Sequence, residues 1–221
     1  MIPKNKGENG PVSAPVAQNT VFRATRGKRK KASKHRVIED SDFLTEEELD
    51  RLFAASRKRS ARDHAIFRVA FCKALRASEV GILQLSDYDS RANTLHVSRL
   101  KGSNSGTLPL FTAELAAVRA WLKLRGARPG PLFLSRHNRA ISRRMLDHMM
   151  KAYGELAGIP REKRHFHVLK HTRCTHLNDN DVPLKMIQHQ VGHRDIRNTD
   201  LYTHVSGRAQ TAMFDRLKDR W

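Results

Sequence analysis

Acidic residues, cysteines and long apolar runs are all scarce in this sequence. Only 22 Asp and Glu stand against 42 Lys and Arg in 221 residues, which gives a formal charge of +20. Two cysteines cannot form the framework of a disulfide-stapled secreted domain. No stretch approaches the roughly 18 consecutive apolar residues of a membrane-spanning helix, and residues 1–18 show no secretory-signal pattern. These absences predict a cytoplasmic protein without a membrane partner.

The excess of positive charge indicates a polyanionic partner. Nucleic acid is the leading candidate, ahead of an anionic membrane surface. Aromatic residues make up only 6% of the chain, which disfavours a protein that binds single strands by stacking bases on aromatic side chains. Because 39% of the residues are hydrophobic and the length suffices for a core, we expect one folded domain with a tail.

The tail is predicted at the N-terminus, over residues 1–40. Ten Lys and Arg and one Glu give residues 1–36 a charge of +9, and the segment shows no apolar period. We interpret it as a flexible basic arm that contacts the nucleic-acid backbone, although a solvated tail that only aids solubility is the alternative. Its densest cluster comprises Arg26, Lys28, Arg29, Lys30 and Lys31.

Residues 41–221 predict a mainly α-helical α+β domain with a small antiparallel β-sheet. Thr45 and Glu48 are spaced as a capping box at the start of the first helix. Two strand patterns, 94–98 and 107–110, flank a turn at 101–106 and predict a hairpin. Further helices are predicted over 61–75, 78–85, 112–125, 142–157, 168–178, 183–191, 196–204 and 208–219.

The chemistry-bearing residues concentrate between 165 and 204, which hold seven of the 12 histidines. A His pair four apart, His167 and His171, would suit a shared metal ion, but no His-Glu-x-x-His or Cys-x-x-Cys pattern accompanies it. The alternative is metal-free phosphoryl transfer, which needs cations around the phosphate and a nucleophile in line. Lys170 and Tyr202, with the histidines, are candidates for these parts, and no cofactor is predicted.

Five separated segments resemble the tyrosine recombinase (phage integrase) family, from about residue 41 to 206. The chain is also similar to the short recombinases that invert fimbrial promoter segments. The segments are Leu-Arg-Ala-Ser-Glu-Val at 75–80, Arg-Leu-Lys at 99–101, His-Val-Leu-Lys-His-Thr at 167–172, Val-Gly-His at 191–193 and Asp-Leu-Tyr-Thr-His at 200–204. The resemblance implies the tyrosine recombinase catalytic fold and strand cleavage through a 3′-phosphotyrosyl bond, without metal or ATP.

The resemblance also assigns roles. Arg76 would hold a phosphate oxygen, with Glu79 as a possible support, and Lys101 would protonate the departing 5′ oxygen. His167 would serve in acid–base work or phosphate contact. His193 would donate to the phosphate, and Tyr202 would be the nucleophile.

One position departs from the family pattern, because Lys170 stands where the second catalytic Arg is usual. Lysine keeps the charge but loses the two-point clamp on phosphate. Three interpretations follow: the enzyme is active with Lys170 as its second cation, it is slow, or it is a decayed copy that has lost activity. The other catalytic positions are intact, which favours an active enzyme. His171 is the nearest substitute donor, or a histidine that supports its helix.

We therefore expect a site-specific DNA recombinase of integrase or invertase type, and the alternative is a catalytically silent DNA-binding relative. The resemblance implies duplex DNA as substrate, a dimer on one site and a homo-tetramer on synapsed sites, with accessory DNA-bending proteins as possible partners. A terminal helix over 208–219, with Met213, Phe214 and Leu217, would pack on its own domain or dock on a neighbouring subunit.

Overall fold

The computed structural model describes residues 42–100 and 103–202. Eight α-helices and three strands follow one another along this part of the chain, with short 3-10 turns at Leu85–Asp87 and Arg161–Lys163. The elements are α1 Glu46–Arg59, α2 Ala61–Cys72, α3 Ala77–Ile82, β1 Tyr88–Asp89, β2 Thr94–Val97, β3 Gly106–Pro109, α4 Thr112–Arg125, α5 Arg143–Leu156, α6 Val168–Asp179, α7 Leu184–Val191 and α8 Arg197–Asp200. The predicted α+β class, mainly helical with a small antiparallel sheet, is confirmed.

Several helix ends follow directly from the sequence. Thr45 Oγ1 accepts from the Glu48 backbone N–H at 3.2 Å while Glu48 Oε2 accepts from Thr45 N at 2.9 Å, so the predicted capping box forms. The helix predicted over 61–75 ends earlier, at Cys72. Ala74 adopts φ 49°, a left-handed conformation that ends the helix.

The sheet is the predicted hairpin with one extra strand. β2 pairs antiparallel with β3, from Thr94 opposite Pro109 to Val97 opposite Gly106. β1 adds two residues on the other edge, with Tyr88 opposite Leu95. A two-residue strand has no alternation to detect, which is why the sequence pattern did not predict it.

Helix α2 lies at the centre of the main core, where it packs against α1, α4 and α6. A buried ion pair, Lys73 Nζ to Glu114 Oε2 at 2.7 Å, joins the end of α2 to α4. A smaller apolar cluster connects α6 with α7 and includes Cys174, Ile187 and Tyr202. These two cores fix the ends of α2, α6 and α7 relative to one another.

The end of the described chain differs from the prediction. The helix predicted over 196–204 is a single turn, Arg197–Asp200, and Tyr202 follows it. Asp195 Oδ1 accepts from Arg197 N at 3.0 Å, and the N-cap position is Ile196. The arm, Lys101 and the 208–219 helix lie outside the described residues. Within the described ones, no helix is long and apolar enough to cross a membrane.

Candidate active site

The predicted site residues on α3, α6 and the loop after α7 surround one region of the surface. Arg76 and His193 line an open cavity of about 800 Å³. Lys170 and His167 lie close enough to His193 to lower its pKa, and Lys170 and Arg76 lower the pKa of His167. Arg194 and Arg197 line the same cavity. Three segments that are far apart in the sequence, at Arg76, at His167 and Lys170, and at His193, are therefore brought together.

Arg76 is held by Glu79 at the start of α3. Its guanidinium donates to Glu79 Oε1 at 2.7 Å and to Ser103 Oγ at 3.1 Å, and its backbone N–H donates to Glu79 Oε2 at 2.8 Å. Burial alone would raise the pKa of Glu79, but the hydrogen bonds from Arg76 and the charge of Arg99 outweigh it and hold that pKa below its usual value. The contact expected between Glu79 and Arg76 is present.

Arg99 is a member of this cluster that the sequence analysis did not single out. Its buried guanidinium donates to Glu79 Oε2 at 3.2 Å, to the Lys73 carbonyl at 2.7 Å and to the Gln190 carbonyl at 3.0 Å. Arg99 thus links the end of α2 with the end of α7. The Arg-Leu-Lys segment contained the signal, but a lone Arg at a strand end cannot be distinguished from a surface residue by sequence.

Gly192 permits the close approach of Arg99 and directs His193. It ends α7 with φ 70° and ψ 27°, the left-handed conformation in which glycine commonly terminates a helix. A Cβ at this position would lie 2.9 Å from Arg99 Nε and 2.9 Å from the Asn104 carbonyl oxygen. A side chain at 192 would therefore push the hairpin away from the site.

Lys170 is buried on α6, with 2% of its surface exposed. Its Nζ donates to the Val191 carbonyl at 3.1 Å. Burial, followed by the charges of Arg76 and Arg99, lowers the pKa of Lys170 to about 8. The second cation of the site is therefore only weakly held in its charged form.

The two site histidines are neutral at pH 7. Burial, together with Lys170 and Arg76, lowers the pKa of His193 to about 3, and its Nδ1 lies 3.0 Å from Thr199 Oγ1. Loss of hydration, then His171 and Lys170, lowers the pKa of His167 to about 3, although part of this residue stays open to solvent. Both rings are therefore hydrogen-bonding groups rather than cations.

Tyr202 is held by α6 and is 2% exposed. Its hydroxyl oxygen lies 2.8 Å from Nδ1 of His171, and its backbone carbonyl accepts from Asn178 Nδ2 at 3.0 Å. His171 therefore contacts the tyrosine rather than lining the cavity beside Arg76. The rings of His167 and His171 pack edge to face, with their centroids 4.6 Å apart. In the described part of the chain, no group of three His, Cys, Asp or Glu residues is arranged to bind a metal ion.

Comparison with known proteins gives the same class as the geometry. The pattern of the Phage integrase family matches residues 42–208. Type 1 fimbriae regulatory protein FimB of Escherichia coli (strain K12) is 32% identical over 185 residues, which cover 81% of this chain and 92% of that protein. The fold and the site define a tyrosine recombinase catalytic domain. The chain belongs to the phage integrase family.

Two solved structures show the same fold. The crystal structure of XerA recombinase superposes with a TM-score of 0.69 at 26% identity and covers 84% of this chain and 65% of that one. XerH site-specific recombinase, bound to a palindromic difH substrate in a post-cleavage complex, gives a TM-score of 0.66 at 21% identity, over 77% of this chain and 52% of that one. The chain thus spans about half to two thirds of these two structures.

Proposed function

We propose that this protein is a site-specific DNA recombinase of integrase or invertase type that cleaves and rejoins duplex DNA through Tyr202. One observation carries the proposal: Arg76 and His193 line one open cavity, and Lys170 and His167 lie within electrostatic reach of them. XerH, which shares the fold, is bound to DNA in its solved structure. We place the activity in the cytoplasm of a prokaryotic host, as its relative in Escherichia coli supports.

The cluster supplies what a phosphodiester needs in order to react without a metal ion. Arg76, oriented by Glu79, and Lys170 neutralise the non-bridging oxygens, while His193 and His167 donate hydrogen bonds. Tyr202 attacks the phosphorus and Lys101 protonates the departing 5′ oxygen. The phosphotyrosine conserves the energy of the broken bond, so rejoining requires no ATP.

We propose that Lys170 is a working second cation rather than a sign of decay. It is buried on α6, where its Nζ donates to a carbonyl oxygen, and it lies close enough to Arg76 and His193, which line the cavity, for the charges to shift pKa values between them. An anionic phosphate would stabilise its charged form, because an opposite charge nearby raises the pKa of a lysine. The rival function, a silent DNA-binding protein, rests on the same residue and predicts binding without cleavage.

DNA contact outside the cavity is proposed for two basic regions. Helix α5 begins with exposed Arg143 and Arg144 and continues with exposed Lys151, which suits contact with phosphates. The arm over residues 1–40 would add sequence-independent attraction. A plot of log affinity against log salt tests the arm: removal of residues 1–36 is expected to make the slope less steep, and an unchanged slope contradicts the arm's role.

We propose a dimer on each site and a tetramer on synapsed sites. The DNA in the XerH structure is palindromic, and a palindrome matches a two-fold dimer. Exposed Phe111 and Met186 also line an apolar cavity of about 390 Å³, which supports a contact with the 208–219 helix of a neighbouring copy. Accessory DNA-bending proteins remain part of the proposal.

The deciding experiment is covalent trapping on nicked suicide DNA that carries a site selected by binding. A DNA-linked protein band that disappears in Tyr202→Phe supports the enzyme. Tight, specific binding without any adduct supports the silent binder. Relaxation of supercoiled plasmid that lacks the site, without recombination, would instead indicate a topoisomerase.

A further inference from the structure

Tyr202, the proposed nucleophile, contacts His171, a side chain outside the set of residues with a proposed catalytic role. The Tyr202 hydroxyl oxygen lies 2.8 Å from Nδ1 of His171, and their rings are 5.9 Å apart. Asn178, two turns further along α6, donates to the Tyr202 carbonyl oxygen. Helix α6 therefore fixes both the backbone and the hydroxyl of this residue.

A buried phenol needs a group to receive its proton before it can attack phosphorus. A phenol ordinarily has a pKa of about 10, so it is protonated at neutral pH. Only 2% of Tyr202 is exposed, which leaves little room for bulk water to act as the base. The acceptor must then be a protein group within hydrogen-bond distance of the hydroxyl.

Cys174 also contacts the Tyr202 hydroxyl but is not suited to take its proton. Burial raises the pKa of the Cys174 thiol to about 11, so it stays protonated at neutral pH. A thiol can donate to the phenolic oxygen, which leaves the phenolic proton free to point at His171. The imidazole with its proton on Nε2 has an open lone pair on Nδ1 at that position.

His167 is separated from the tyrosine by His171. The two imidazoles meet edge to face at 4.6 Å, and loss of hydration, followed by His171, Lys170 and Arg76, lowers the pKa of His167 to about 3. A ring in that position is a poor base and a suitable hydrogen-bond donor to a phosphate oxygen. The positions of the two histidines thus divide two tasks between them.

We propose that His171 is the general base of DNA cleavage, which rests on the proposed function of Tyr202 as nucleophile. His171 Nδ1 accepts the phenolic proton as the Tyr202 oxygen bonds to phosphorus. The bond from phosphorus to the 5′ oxygen breaks, and this oxygen takes a proton from Lys101. In rejoining, the 5′ hydroxyl attacks phosphorus and returns a proton to Lys101, while the His171 imidazolium protonates the departing Tyr202 oxygen.

Single-turnover adduct formation by His171→Asn and His171→Leu tests the proposal. Asparagine places an amide oxygen near the position of Nδ1, so it keeps a hydrogen bond to Tyr202 but cannot carry its proton. Both variants are expected to lose about 10²–10⁴-fold in rate with unchanged DNA affinity and melting temperature. His176→Asn, on the same helix and also half-buried, is the matched control and keeps the wild-type rate.

A substrate with sulfur in place of the 5′ bridging oxygen separates this role from that of the acid. A thiolate leaves without a proton because its conjugate acid is much stronger than an alcohol. On this DNA the cleavage rate of Lys101→Ala is therefore expected to return towards that of the wild-type protein, whereas the cleavage rate of His171→Asn stays low. If this DNA restored the cleavage rate of His171→Asn, His171 would act on the leaving group rather than on Tyr202, and the proposal would be wrong.

Three other outcomes are also decisive. A wild-type rate in His171→Asn, with loss only in His171→Leu, shows that the residue positions Tyr202 and takes no proton. Faster cleavage in both variants shows that the contact restrains the nucleophile. An absence of adduct in the wild-type protein refutes the proposed function, and the role of His171 with it.

Discussion

Two buried lysines, Lys73 and Lys170, occupy similar surroundings and have different partners. Each is at most 2% exposed. Lys73 lies 2.7 Å from the carboxylate of Glu114, whereas Lys170 donates to the carbonyl oxygen of Val191 and, among the described residues, has no carboxylate within ion-pair distance. The first charge is neutralised inside the protein. The second lies close enough to Arg76 and Arg99 for their charges to lower its pKa.

The contrast teaches how the same residue type is used for stability and for function. A buried charge is tolerated when it is paired, and an unpaired one is costly. On the proposed function, the phosphate of the DNA is the counter-charge for Lys170. Variants at Lys73 and Lys170 test whether the two lysines differ in this way, and variants at Arg99 test a cation that is intermediate between them.

The largest change in stability is expected at Lys73. Lys73→Met leaves the fully buried Glu114 without its partner, so the free energy of unfolding falls by about 3–5 kcal/mol, measured by urea denaturation. Glu114→Leu in the same chain removes the orphaned charge and restores most of the loss. A change below about 1 kcal/mol in the single variant would show that this pair contributes no more than a surface one.

Lys170→Met is expected to act on cleavage rather than on stability. It removes an unneutralised charge from the interior, so the free energy of unfolding stays the same or rises. The single-turnover cleavage rate falls by about 10²–10³-fold, as expected when a preorganised group that stabilises the transition state is lost. Parallel losses of stability and rate would erase the contrast with Lys73.

The pH dependence of Lys170 has opposite signs for activity and stability. Burial and the nearby Arg76 and Arg99 lower its pKa from 10.5 to about 8 in the folded protein. The second-order rate of adduct formation therefore declines above about pH 8 as the free protein loses this charge. From about pH 8 towards 10.5 the unfolded chain binds more protons than the folded one, so this group's contribution to stability rises.

Lys170→Arg isolates this effect. A guanidinium stays charged across the range, so the decline in rate attributable to position 170 disappears. Lys101 is present in both proteins, and its own titration is common to both profiles. Identical pH profiles for the two proteins would show that Lys170 does not titrate as proposed. Faster cleavage by the variant at neutral pH would show that the lysine limits phosphate activation.

Local signals in the sequence account for much of the fold. The capping box at Thr45, the bounds of α4 and the left-handed end of α7 at Gly192 all depend on residues close in the chain. The early end of α2 was not predicted, because alanine ordinarily continues a helix, whereas Ala74 has a positive φ and the Leu75 N–H donates back to the Ala70 carbonyl oxygen.

The candidate site likewise contains residues that the sequence predicts and contacts that only the structure reveals. The motif positions Arg76, His167, Lys170 and His193 were found from the sequence, and the structure brings them together. The contact between His171 and Tyr202 joins residues 31 positions apart, and that between Arg99 and Gln190 joins residues 91 positions apart. No short-range pattern contains such pairings, and they decide which side chain serves which task.

The smallest expected effect concerns Arg99, which combines the situations of the two lysines. It is paired with Glu79, like a structural cation, and lies within the cationic cluster. Arg99→Lys keeps the charge but loses some of the hydrogen bonds to the backbone carbonyl oxygens of Lys73 and Gln190. The free energy of unfolding is therefore expected to fall by about 1–3 kcal/mol. Cleavage slows by about tenfold for each 1.4 kcal/mol of lost transition-state stabilisation, and DNA affinity stays unchanged.

Arg119→Lys, at an exposed arginine bonded to Asn93, is the matched control for Arg99→Lys and is expected to change neither property. A drop in stability without slower cleavage would make Arg99 equivalent to Lys73, a purely structural cation. Slower cleavage at saturating DNA, at a temperature where the variant is fully folded, instead identifies Arg99 as a positioning residue that acts through Glu79 on Arg76. The hydrogen bonds from Arg99 to both helix ends favour the second result, because displacement of either end moves a group that lines the cavity.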